Sequence, residues 1–102
     1  MTNNASIDKN KHLIKLIDES LKGIEIEISK SLNGLYAIDA LLHLQFIKTA
    51  LTNMKINLNQ NNTEMIAMYN PNIARIVIDT WPIDNPLGNQ ICEIEYLYKK
   101  LR

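Results

Sequence analysis

The chain has 102 residues, eleven Lys or Arg against eleven Asp or Glu, and 46% apolar residues, which fits one modest globular domain over 1–102. A net charge of zero with no block of either sign argues against a nucleic-acid binder, because neutralising several phosphates takes a clustered basic surface. Cys92 stands alone and excludes an internal disulfide, Met1 to Asn10 lacks a signal peptide's apolar run, and no segment nears the roughly 20 apolar residues that span a bilayer, so a cytoplasmic location without membrane contact is expected.

Residues 1–9 read as frayed. From Leu13 the apolar positions Ile14, Ile17, Leu21, Ile24 and Ile28, continued by Leu32 and Leu35, recur at helical spacing. Inside that stripe "GIEIEIS", residues 23 to 29, alternates like a strand. A helix keeps Ile24 and Ile28 in phase and misplaces only Ile26, whereas Gly23 could also end a helix. The helix is the favoured reading, and a break at Gly23 followed by a short strand near 24–28 is the alternative.

Asn33-Gly34 reads as a stop, because both residues tolerate the left-handed conformation that closes helices. A second helix is expected from about Leu35 to Leu58. Ala40, Leu44, Ile47, Leu51, Met54 and Leu58 form one apolar stripe; Ile38, Leu42, Phe46 and Ile56 form another on nearly the opposite side. Such a helix is central in a bundle or packs against a partner.

The polar stretch "NLNQNNT", residues 57 to 63, is a loop, with Thr63 able to cap a short helix through Tyr69. Asn70-Pro71 reads as the next start, asparagine at the cap and proline at the first helical position, with Ile73, Ile76, Val77 and Thr80 sharing a face. "RIVID", residues 75–79, is β-branched enough to be a second short strand. After the break in "WPIDNPLG", Asn85-Pro86 repeats the cap-plus-proline start, and Leu87, Ile91, Ile94, Tyr98 and Leu101 follow in four-three alternation. The expected fold is therefore all-α, a small antiparallel bundle of four to five helices, with an α+β domain as the alternative.

Little in the chain carries chemistry. Asp39 and His43 share a helix face and could begin a metal site only with a Glu or His supplied from elsewhere, the plainer reading being a surface ion pair or a histidine at the core's edge; no paired Cys or His spacing exists. Cys92 with His12 or His43 makes a dyad only if folding joins them, and a free cysteine is usually inert. Asp18-Glu19, Glu25 with Glu27 and Glu93 with Glu95 read as solvated pairs. Gly23, Gly34 and Gly88 are isolated, so no phosphate loop is present. No catalytic residue, metal or cofactor is assigned.

Trp81 and Tyr96, with Asp79 and Asp84 beside the tryptophan, are the candidate partner-binding residues, because exposed Trp and Tyr concentrate binding energy at interfaces. The functional expectation is a non-catalytic protein-interaction module, such as a small bacterial immunity, antitoxin or adaptor protein. The alternatives are a structural or regulatory homodimer joined through the second helix, and an enzyme or nucleic-acid binder whose site is scattered along the chain.

Overall fold

The alternation at 24–28 is not a strand. A computed structural model of the chain describes residues 4–32, 38–81 and 85–101, with side chains for 9–30, 41–81 and 85–101. Among these residues it shows five helices and no strand: α1 (Asn4–Leu32), α2 (Ile38–Asn59), α3 (Thr63–Met68), α4 (Ile73–Thr80) and α5 (Pro86–Lys99). The Asn33-Gly34 stop lies outside the described residues. Both segments read as possible strands are helical, 24–28 within α1 and 75–79 within α4. The core lies on one side only. Leu13, Ile17 and Ile24 are buried on it, and Ile26 is left 58% exposed, so the 3.6-residue period overrides the local alternation.

α1 packs on α2 and α5, and α4 packs on α5 and α2, which closes four helices around a shared core; α3 lies against α2. α1 and α2 run antiparallel. Glu25 pairs with Lys48 at 3.0 Å and Asp18 with Lys55 at 2.7 Å, a seven-residue step along each helix. Farther on, the Asn10 amide donates to Asn61 Oδ1 at 3.2 Å. α5 runs antiparallel to α1, with Leu87 over Gly23 and the Gln90 amide donating to Glu19 at 3.1 Å. The molecule is elongated, 51 × 23 × 21 Å, because α1 and α2 outrun the helices that cover them. α5 begins level with Gly23, whereas the α1–α2 pair continues toward residues 32 and 38.

Helix starts follow asparagines, though not all at the expected ones. Asn85 Oδ1 accepts from Gly88 N at 3.0 Å with Pro86 behind it, as the sequence suggests. At α3 the cap is Asn62 rather than Thr63, and its Oδ1 accepts from Met65 N at 3.1 Å. At α4 the cap position falls on Asn72 rather than Asn70. Asn72 is left-handed (φ 58°), and its side chain makes no capping bond. The left-handed backbone of Asn72 keeps it out of the helix, so α4 begins only at Ile73.

The missing cap of α4 comes from another helix. Glu95 of α5, 2% exposed, accepts from Ile73 N at 2.8 Å and Ala74 N at 3.0 Å. The expectation of a solvated Glu93–Glu95 pair is thus corrected for Glu95. Its carboxylate sits where two unpaired N–H groups and the positive end of the α4 dipole meet it. Nearby, the buried Asn57 amide donates to the Tyr98 hydroxyl at 3.1 Å, and the Asn53 amide donates to that of Tyr69 at 3.3 Å. The two tyrosine rings meet edge to face, centroids 6.5 Å apart.

Two glycines mark where helices touch backbone to side chain. A Cβ on Gly23 would stand 2.9 Å from Leu87 Cδ1, and one on Gly88 would stand 2.9 Å from Trp81 Cε3 and 3.0 Å from Val77 Cγ1. Gly23 is therefore a contact point for α5 and not a helix end.

Replacing Glu95→Gln keeps the shape but turns an NH2 toward one of the two amides. A loss of about 1–3 kcal/mol is expected, seen as a lower Tm and as faster hydrogen exchange at Ile73 and Ala74. Unchanged exchange there would contradict the capping role. Gly88→Ala should cost about 1–3 kcal/mol by overpacking, because an indole ring and a β-branched side chain leave no room. Gly23→Ala should lie near zero, since its helix-propensity gain of about 1 kcal/mol is offset by displacing the Leu87 tip; in a Leu87→Ala background the full gain should appear in chemical denaturation.

Candidate functional site

Bundle geometry decides which of the two α2 stripes is used. Leu44, Ile47, Leu51, Met54 and Leu58 are all buried, and Ala50 joins them. The second stripe remains outside: Leu42 is 55% exposed, Phe46 48% and Ile56 47%; the Ile38 side chain lies outside the described residues. At 100° per residue, Leu42, Phe46, Thr49, Asn53 and Ile56 fall within an arc of about 80° that runs about 21 Å along the helix. No charged residue falls on that arc. Lys48 and Lys55 lie to one side, committed to Glu25 and Asp18. A shallow groove of about 470 Å³ lined by Gln45, Lys48, Thr49, Thr52 and Asn53 accompanies the strip, with Lys48 at its edge. Leu42 and Phe46 occupy the part of α2 that projects beyond the start of α5.

The residues singled out from the sequence do not form one surface. Trp81 is half-buried, its ring against Gly88 and the core. Tyr96 is 59% exposed on α5, and the Lys100 ammonium sits 4.9 Å above its ring. Eight residues, about 12 Å of helix, separate Tyr96 from the Gly88 that Trp81 covers. Asp79 is exposed and meets Arg75 Nε at 3.6 Å, a surface pair of small energetic weight. Asp84 lies outside the described residues.

Potential catalytic and metal-binding groups are equally dispersed. His43 is half-buried on α2, and the side chain of Asp39 is outside the described residues. Among the described residues no three His, Cys, Asp or Glu side chains are arranged to hold a metal, and no helix is long and apolar enough to cross a membrane. Cys92 is half-buried. Burial first, and the charge of Glu95 second, raise its thiol above the ordinary range. The thiolate is the reactive form, so the alkylation rate of native Cys92 should rise at a higher pH than that of the same thiol in the unfolded chain. An equal or lower midpoint in the native protein would contradict this environment.

One grouping has no counterpart in the sequence reading. Lys9, His12 and Leu13 of α1 meet Leu97, Lys100 and Leu101 at the end of the chain around a groove of about 270 Å³. Its apolar floor and cationic rim come from segments more than 80 residues apart. The only linear signal is that basic residues flank the apolar stripe both at the start of the first helix and at the end of the last.

No protein-family model, curated protein or solved structure matches this chain.

Proposed function

We propose that the protein is a non-catalytic interaction module that docks a partner protein on the outer face of α2. One observation carries this reading: α2 is buried along one stripe, while Leu42, Phe46 and Ile56 expose a second, charge-free stripe opposite it. Isolated apolar side chains are ordinary on a surface, whereas an aligned set on one helix marks an interaction face. An amphipathic helix of the partner laid along this strip would cover Leu42 and Phe46, one turn apart, at one end and Ile56 at the other, with Thr49 and Asn53 between them. Tyr96, exposed on α5, is a separate candidate contact; Trp81 contributes mainly to packing. A small bacterial immunity, antitoxin or adaptor protein would fit this reading. A second copy of the chain is the other occupant to be considered, because a face without charge does not repel itself.

The test compares wild type with the Leu42→Lys/Phe46→Lys double variant. Both substitutions are on exposed positions, so the circular dichroism spectrum and Tm should change little. Proteins captured by wild type should be lost from the double variant by about tenfold or more. An undiminished interaction in a folded variant would overturn the proposed face. Sedimentation at increasing concentration separates the two occupants: a wild-type mass that doubles, and a variant that stays monomeric, would identify the partner as a second copy.

A further inference from the structure

We infer that the groove between the first half of α1 and the last turn of α5 binds a small anionic amphiphile, a carboxylate with a single hydrocarbon chain, taken from solution. This site is independent of the outer face of α2. Basic side chains line the rim of the groove. Although the chain is neutral overall, folding brings Lys9, His12 and Lys100 to the rim of one groove. Lys9 and Lys100 are exposed, and among the described residues neither has a carboxylate within ion-pair distance. Lys99, one residue away, lies 3.9 Å from the buried Glu95. Lys100 is held instead over the Tyr96 ring, a contact that fixes the ammonium without neutralising it.

The floor and the volume suit a single hydrocarbon chain. Leu13 is buried, and Leu97 and Leu101 are packed on the core beside it, so the bottom of the groove is aliphatic. A volume of about 270 Å³ stands at the lower end of small-molecule sites, which run from about 300 Å³. It holds one chain and is too small for a helix. A carboxylate at the rim would gain charge-assisted hydrogen bonds from Lys9, His12 and Lys100. A hydrocarbon tail would lie on the three leucines and leave water. A cation of the same shape would gain only the second term and meet repulsion at the rim.

The experiment uses the full chain and decanoate below its micellar concentration, followed by amide and methyl NMR and by calorimetry. Decyltrimethylammonium and acetate are the controls, and vesicles of phosphatidylcholine with phosphatidylglycerol form a separate arm. Saturable one-to-one binding of decanoate is expected, with shifts centred on Leu13, Leu97 and Leu101 and little binding of either control. Lys9→Glu/Lys100→Glu, both at exposed positions, should weaken decanoate binding by about tenfold or more with only a small fall in Tm, from the lost Tyr96 contact and the reversed charge at the end of α5. Leu97→Asp should also abolish it, and unchanged spectra elsewhere would show that the bundle survives. The inference is overturned if decanoate does not saturate, if its shifts lie elsewhere, if the ammonium amphiphile binds equally well, or if the charge-reversed variant binds normally. Binding to anionic vesicles without decanoate binding would also overturn it, assigning the basic rim to a membrane surface.

Discussion

The carboxylate of Glu95 is the interaction on which the second half of the bundle depends. α4 has only eight residues, too few to be stable as an isolated helix. Its cap position is occupied by a left-handed asparagine whose side chain makes no capping bond. Two of its first amides instead reach across to Glu95, which is almost wholly buried. The bond works in both directions. A buried carboxylate requires donors, and unpaired helix amides require an acceptor. The contact thereby fixes where α4 starts relative to α5. It also brings the far end of α4 to Gly88, where Val77 and Trp81 pack against the absent side chain.

The two long helices follow a different logic. α1 and α2 are held by aliphatic burial on one side and by evenly stepped ion pairs on the other. Those exposed pairs add little stability singly, but their matching seven-residue step suits a single antiparallel register. Near the end of α2 the polar contacts move inward: Asn57 on Tyr98, and Asn53 on Tyr69, tie α5 and the segment after α3 to the same helix. α2 is consequently surrounded along its inner side and bare along its outer side. Its exposed stripe is a consequence of bundle size, since α1 and three shorter helices packed on one side leave the opposite face of a 22-residue helix uncovered.

Under the proposed function, stability and recognition fall on separate residues. Residues whose removal should damage the fold, Glu95, Gly88 and Tyr98, lie inside. Leu42, Phe46, Lys9 and Lys100, the residues of the two proposed binding surfaces, lie outside the core. Surface chemistry of this kind is simple: apolar contact on one face and positive charge over aliphatic carbon at one pole. Neither requires an activated side chain.

Apolar spacing and capping chemistry, both local properties of sequence, were enough to favour an all-α fold, to place the inward faces of α1 and α5, and to mark the start of α5 at Asn85-Pro86. The second stripe of α2 was legible as a pattern, but not whether it would be covered. Three features were settled only by tertiary structure. Gly23 became a helix contact because Leu87 happens to cross there. Glu95 became a cap because α4 and α5 run antiparallel in one particular register, which no spacing within either helix specifies. The basic groove exists because residues 9–13 and 97–101 end side by side, and charges this far apart in a neutral sequence give no local sign that folding will bring them together.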